Sequence, residues 1–178
     1  MISTVDTKVY RQTIGLFATG VTVLLAERDD EVRGMTANAV ASLSLEPTLV
    51  IVCPSKQAHM AELLTLGNFF TINILSEEQE PLSNFFAGGW RLDKEPDHEF
   101  IPWPAAGRAP RLGGCLASLA CRVHQVHDGG DHWIVVGEVL DLHRNTTHER
   151  PLLFFAGKYH NLRRQEPEHL QPSADPWK

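Results

Sequence analysis

No run of 18 apolar residues occurs in this 178-residue sequence, so no membrane-spanning helix is expected. The N-terminus lacks the basic-then-apolar pattern of a secretory signal. Cysteine is scarce: Cys53, Cys115 and Cys121 make an odd count with no CxxC pair. Cys53 sits in a strongly apolar run and Cys121 in an alternating one. Both read as buried thiols suited to a reducing cytosol, and a cytoplasmic location is expected. The 16 Lys and Arg are scattered under a net charge of −6, so no basic stripe marks a nucleic-acid partner. Neither GxGxxG after a strand nor a P-loop pattern occurs, and both standard nucleotide cradles are missing. HExxH and GxSxG are absent too, and no closed set of His and Cys has zinc spacing. Strand alternation puts His124 on one face with Arg122 and Val126 and turns His127 the other way, so no metal is expected.

What is present suits one globular domain. A chain of this length buries roughly 70% of its unfolded surface, and a hydrophobic fraction of 43% is enough to fill such a core. Asp6 caps a short opening helix with Tyr10, Ile14 and Phe17 on one face. The stretch from Thr19 to Leu43 reads as two strands around a turn at Asp29 and Asp30, and "TLVIVC" after Pro47 as an apolar strand. "PSKQAHMAELLTLG" reads as a helix that Ser55 caps and Gly67 stops. "NFFTINIL" is a strand. Ser76 and Gln79 have capping-box spacing before a helix with Leu82, Phe85 and Phe86 on one face and Pro81 in its first turn. Residues 87–114 read as a long surface loop. The strongest hairpin flanks Asp128, Gly129 and Gly130, and "RPLLFFAGKYHNL" holds a last strand. Hairpin-linked strands with three short helices predict a mainly β fold, an antiparallel barrel or sandwich. Residues 1–164 form the expected domain, with a polar tail at 165–178.

Four segments are candidates for chemistry, and each has an ordinary alternative. Ser55 and Lys56 at a helix start offer N–H groups, a hydroxyl and an ammonium to a phosphate, or they belong to a capped surface helix. In "GMTAN", Gly34, Thr36 and Ala37 let a flat ring approach the backbone while Asn38 meets its polar edge, or the small residues pack beneath a helix. Asp131 and His132 lie at the rim beside a tight turn. Phe154 and Phe155 lead into Ala156 and Gly157, or are plain core.

Together these segments resemble the flavin reductase-like family, the short reductases that serve two-component flavin monooxygenases. "FATGVTVLLA", "GMTANAVASLSLEPTLVIVC", "FFTINILSEEQEPLSNFFAG", "HDGGDHWIVVGEV" and "PLLFFAGKY" follow that family's order and spacing over roughly residues 8 to 162. The resemblance implies an antiparallel Greek-key split barrel of the FMN-binding type, forming a homodimer with flavin near the subunit interface. It implies that Gly34, Met35, Thr36, Ala37, Asn38 and Ala39 border the ring, with Ala39 replacing a more usual Ser. It implies that Cys53, Pro54, Ser55, Lys56, Gln57 and His59 hold the ribityl chain and phosphate; a typical member has Arg or Thr where Gln57 and His59 stand. Residues 87–91, starting with Ala87 and Gly88, reach the flavin in the same reading. His132, Phe154, Phe155, Ala156 and Gly157 border the nicotinamide.

The implied activity is hydride transfer from NADH or NADPH to FMN or FAD, with reduced flavin passing to a partner oxygenase. The cofactor supplies the redox chemistry and the protein supplies placement. Hydride transfer of this kind needs no general base, in keeping with the lack of an acid–base pair. Asn38 is expected to stabilise charge on the ring's pyrimidine end, Lys56 to offset the phosphate, and His132 to position the nicotinamide or flavin. NADH is favoured over NADPH because no Arg cluster awaits a 2′-phosphate. The rival readings are a flavin-retaining electron carrier on the same barrel and a non-catalytic binding barrel.

Overall fold

The computed structural model describes residues 5–88, 95–103, 109–147 and 150–162. The expected tail at 165–178 and the flavin-reaching segment at 89–91 lie outside the described residues. Helix α1 (Thr7–Ile14) starts where the Asp6 carboxylate accepts from the N–H groups of Lys8 (2.7 Å) and Val9 (3.0 Å). Phe17 falls beyond its end, and no residue of α1 is buried.

Strands β1 (Thr19–Gly20), β2 (Thr22–Arg28) and β3 (Glu31–Ala37) follow. Asp29 and Asp30, with φ of 54° and 61°, form the two-residue hairpin turn between β2 and β3. The stretch expected as two strands makes more. Asn38 and Ala39 interrupt it, and β4 (Val40–Leu45) pairs instead with β5 (Thr48–Val52). Helix α2 (His59–Leu63) precedes β6 (Phe69–Ile74), and α3 (Glu80–Phe86) follows a 3-10 turn at Glu77–Gln79. The Gln79 carboxamide oxygen accepts from the Ser76 N–H at 3.0 Å, as the spacing predicts. The remaining strands are β7 (Phe100–Ile101), β8 (Arg111–Leu112), β9 (Ala117–Gly129), β10 (His132–Arg144), β11 (Leu152–Phe155) and β12 (Lys158–Asn161).

The main sheet runs β3-β2-β6-β9-β10-β5-β4, and every pair is antiparallel. Its two edge strands, β3 and β4, are consecutive in sequence and joined by residues 38–39 alone. Seven flat strands would separate those edges by about 29 Å. Two linking residues span about 11 Å. The sheet must therefore curl until its edges meet. All seven strands accordingly send side chains into one interior: Leu24, Met35, Val40, Val52, Phe70, Val123 and Val135, with Met60, Leu63 and Leu64 plugging it around α2. This closed shape is the expected antiparallel barrel.

A second core lies outside the wall. Val21, Val23 and Leu25 pack against Leu75, Leu82, Leu112, Cys115 and Leu152. β2 is thus buried on both faces, which explains its nearly continuous apolar run. Residues 87–114, expected as a surface loop, are in part docked here. Asn73, fully buried, accepts through Oδ1 from the Leu112 N–H (2.8 Å) and Ser118 Oγ (2.9 Å) and donates through Nδ2 to the Val23 carbonyl (3.0 Å). Thr71 Oγ1 donates to the Pro110 carbonyl at 2.6 Å.

Three local readings need correction. The β9–β10 turn is Gly130 and Asp131, since Gly129 already pairs with His132. A bulge skips His124 opposite the step from Val136 to Gly137, so Val123 and Val126 both face the interior while His124 is exposed. The expected face shared by His124 and Val126 does not form. The last strand is also a hairpin, β11–β12, turning at Ala156 (φ 50°) and Gly157 (φ 79°).

Asn73→Ala strands the Leu112 N–H and Ser118 hydroxyl in the core. The expected loss is about 1–3 kcal/mol of unfolding free energy, read as a lowered urea midpoint. An unchanged midpoint would refute the role of Asn73 as the anchor of this segment.

Candidate functional site

The seam where β3 and β4 meet is the natural place for a ligand. No ladder joins the two strands among the described residues, so each offers backbone N–H and C=O groups along its outer edge. At one end of the seam the Cys53 N–H donates to the Ala39 carbonyl at 3.1 Å, extending the β4–β5 ladder past the Val40–Val52 pair. From Cys53 the chain runs on to His59, which lines a cleft together with Gly34. Residues 53–59 therefore lie alongside residues 34–39. The two segments expected to hold one ligand are brought together.

Alternation along β3 sorts its residues. Met35 and Ala37 point into the barrel, so only their backbone is free to meet a ligand. Gly34 and Thr36 point outward toward α3. A Cβ on Gly34 would stand 2.3 Å from the Phe86 ring, so packing against the protein's own Phe86 accounts for that glycine. Thr36 Oγ1 donates to the Ser83 carbonyl at 2.6 Å, and Ser83 Oγ is hydrogen-bonded to the Tyr159 hydroxyl at 2.8 Å. Asn38 and Ala39 are exposed at the seam. Asn38 Nδ2 donates to Thr19 Oγ1 at 3.2 Å, which leaves its carboxamide oxygen open among the described residues.

The expected helix start at Ser55 does not exist. Helix α2 begins four residues later, with Ala58 as an N-cap that makes no side-chain bond. The intervening N–H groups are in use. Lys56 donates to the Asp131 carbonyl (3.0 Å), Gln57 to Ser55 Oγ (3.3 Å) and Ala58 to the Ser55 carbonyl (3.0 Å). The reason is strand-like pairing with the β9–β10 tip: Ser55 bridges His132, and the Trp133 N–H donates to the Pro54 carbonyl at 2.9 Å. An anion here would meet side chains, namely the Ser55 hydroxyl, Lys56 and the exposed Gln57, and not a helix terminus. Pro54 is buried. Burial raises the Cys53 thiol above its ordinary value, so it is neutral near pH 7.

His132 sits directly across from Ser55, with Nδ1 2.7 Å from Asp131 Oδ1. That hydrogen bond, and then the charge of His132, hold the Asp131 carboxyl below the usual range. The Lys56 ammonium is ion-paired to Asp128 and lies 4.4 Å from the centre of the Trp133 ring. The hydrogen bond from Lys56 is also the main reason the Asp128 carboxyl is held low, followed by the Gly130 N–H.

The remaining expected residues flank the seam. Phe154 pairs with Thr19, the partner of Asn38, and packs edge-on against Tyr159 with ring centres 5.4 Å apart. Phe155 is half-exposed beside His160. Ala156 and Gly157 form the turn, fixed where the Ala156 N–H donates to the Gly15 carbonyl at 2.7 Å. Ala87 and Gly88 are exposed at the end of α3, where the Ala87 N–H donates to the same Ser83 carbonyl that Thr36 uses. Thr19, Ser83, Phe86, Asp128, Trp133 and Tyr159 are neighbours that the sequence reading did not single out.

Comparison with known proteins gives the family and the fold. The family pattern described as "Flavin reductase like domain" matches residues 14–163. The chain is 37% identical over 176 residues to the flavin-dependent monooxygenase reductase subunit HsaB of Mycobacterium tuberculosis, covering 97% of this chain and 90% of that protein. It is 40% identical over 170 residues to an NADH-dependent flavin reductase of a Rhodococcus species, covering 94% and 89%. Among solved structures, the flavin reductase PheA2 superposes with a TM-score of 0.82 at 41% identity, covering 90% of this chain and 100% of that one.

Lys56→Gln should raise the Asp128 carboxyl toward its ordinary value of 3.8 and leave Asp131 low. Carboxyl carbon NMR titration reads both midpoints. A depressed carboxyl stabilises above its unfolded-state value and loses that contribution as pH falls through its folded value. The Lys56–Asp128 pair should therefore persist at pH 5 and break only below the ordinary carboxylate range. No shift at Asp128 in the variant would rule out the pair in solution.

Proposed function

The chain belongs to the flavin reductase-like family, and from that premise we propose that it is an NAD(P)H-dependent flavin reductase that hands reduced flavin to a partner monooxygenase. It is an oxidoreductase, with FMN or FAD and NADH as its cofactors. The observation that carries this reading is the adjacency of residues 34–39 and 53–59 beside the barrel seam, linked by the Cys53–Ala39 bond at one end and by the cleft that Gly34 and His59 share at the other.

The residues present fit a flavin. The exposed Asn38 and the unpaired edge of β3 alternate donors and acceptors as the polar side of a flat ring requires. Ser55, Lys56 and Gln57 supply a hydroxyl, a cation and a carboxamide for an anionic tail. The bound flavin supplies the two-electron chemistry. Asn38 orients the ring's polar edge and stabilises negative charge there. His132, held through Nδ1 by Asp131, keeps Nε2 for positioning the nicotinamide. Phe154 and Ala156, tied to Thr19 and Gly15, wall the seam on the opposite side. No side chain is needed as a base, because placement of donor and acceptor carbon and nitrogen at contact distance is the requirement.

The same proposal reads residues 1–164 as one domain, supported by two cores that share strand β2. It makes the protein a homodimer. Tyr10, Ile14 and Phe17 are 58%, 52% and 72% exposed, and Leu142 is 67% exposed. Phe17, Val40 and Leu142 line a cleft of about 440 Å³ with Asn38. An apolar surface of this kind is expected to be covered, and its continuity with Asn38 supports a flavin site beside the second copy. Three free thiols support a reducing, cytoplasmic setting. Among the described residues, no helix is long and apolar enough to cross a membrane.

Purified protein given NADH and excess FMN should oxidise NADH through many turnovers, followed at the nicotinamide absorbance band. Bleaching of a single equivalent would instead identify an electron carrier, and no change a binding barrel. Light scattering should give twice the 19.9 kDa chain mass. The double variant Phe17→Ser, Leu142→Ser should fall to one chain, and a monomeric wild type would contradict the dimer.

A further inference from the structure

The tip of the β9–β10 hairpin forms a clamp on Lys56 that the functional reading leaves unused. Asp128 and Trp133 pair across the hairpin. Asp128 Oδ2 forms the ion pair with the Lys56 ammonium, while Oδ1 accepts from the Gly130 N–H at 3.0 Å and fixes the carboxylate in place. Trp133 presents its ring face to the same ammonium at 4.4 Å, a cation–π distance. The Lys56 backbone is bound to the same tip through the Asp131 carbonyl. Lys56 is accordingly held at both ends, and its side chain is 29% exposed against 69% for Asp128.

We propose that Asp128 is a positioning residue that holds the Lys56 ammonium against Trp133 and so weakens the grip on a phosphate-bearing flavin. The proposal rests on the reading that Lys56 faces the flavin's anionic tail. Two effects have the same sign. A phosphate reaching Lys56 finds an ammonium already neutralised by a fixed carboxylate. It also approaches that carboxylate's own negative charge, within the roughly 8 Å over which charges act at physiological ionic strength. A flavin without phosphate feels neither effect. The device suits an enzyme whose product must leave: it lowers affinity at the tail without disturbing the ring contacts at Asn38 and the β3 edge.

The test uses the full-length protein, with FMN and riboflavin as probes that share a ring and differ in the phosphate. Dissociation constants are read by flavin fluorescence at low and at raised salt. Asp128→Asn should tighten FMN about two- to five-fold, the range expected for an exposed ion pair. It should leave riboflavin unchanged, and the gain should shrink as salt rises. Asp128→Glu should restore wild-type FMN affinity. Lys56→Gln should weaken FMN and spare riboflavin. If Lys56→Gln weakens FMN but Asp128→Asn does not tighten it, the proposal fails while the phosphate reading stands. If Lys56→Gln leaves FMN and riboflavin unchanged, the phosphate reading itself fails. Equal changes for both flavins in Asp128→Asn would reduce Asp128 to a structural residue and overturn the proposal.

Discussion

The two residues between β3 and β4 are the constraint on which the rest of this structure depends. They carry the chain from one edge of a seven-stranded sheet to the other, which is geometrically possible only when the sheet curls onto itself. Curling encloses a single apolar interior fed by all seven strands, and it leaves a seam where two edges meet without a ladder. Fold and site therefore have one origin. The unpaired edge that would be an aggregation liability in an open sheet becomes a row of backbone donors and acceptors sheltered by residues 53–59.

A seam without a ladder needs buttresses, and the outer layer provides them. Thr36 on β3 reaches the Ser83 carbonyl on α3, and Ser83 in turn reaches Tyr159 on β12. The Phe86 ring fills the space that the missing Cβ of Gly34 leaves. These contacts fix the outward face of β3 without touching its free edge. Asn73 performs the same service lower in the wall, where three hydrogen bonds tie β2, β8 and β9 together. Buried polar groups are costly when unmatched and specific when matched, so the outer layer has one register on the barrel.

Local pattern made much of this legible. Apolar alternation marked the strands, Asp6 and the Ser76–Gln79 pair marked helix starts, and the family motifs gathered the seam residues into one list. What local pattern could not supply were contacts between distant segments. Ser55 looked like an N-cap because a cap residue and a helix-forming run follow one another there. It pairs instead with His132, 77 positions away; that pairing takes up the Lys56 N–H, while the N–H groups of Gln57 and Ala58 turn back onto Ser55. Gly34 looked like room for a ring because the Phe86 that fills the space lies on α3. His124 looked as if it shared a face with Val126 because strict alternation cannot anticipate a bulge. Residues 87–114 looked like loop throughout because Thr71 and Asn73, which anchor Pro110 and Leu112, read as ordinary polar positions within a strand.

The distribution of interaction strengths follows the same geometry. Burial protects the interior, where Cys121 has its thiol pushed up to about 12 and stays chemically silent. The rim is different. Lys56, Asp128, Asp131 and His132 are solvated there, and pairs between solvated charges contribute little each. A site built from several such contacts holds its ligand by small increments, and each increment of 1.4 kcal/mol is a factor of ten in affinity. For a protein that must take up a flavin, position it against a nicotinamide and let it go, a rigid wall with a weakly charged rim is the arrangement that keeps geometry and affinity separately adjustable. In the proposed site, Asn38 and the β3 edge set the geometry because the barrel fixes them. In that same proposal Lys56 and its neighbours set the affinity, because exchanging partners among exposed charges leaves the barrel as it was.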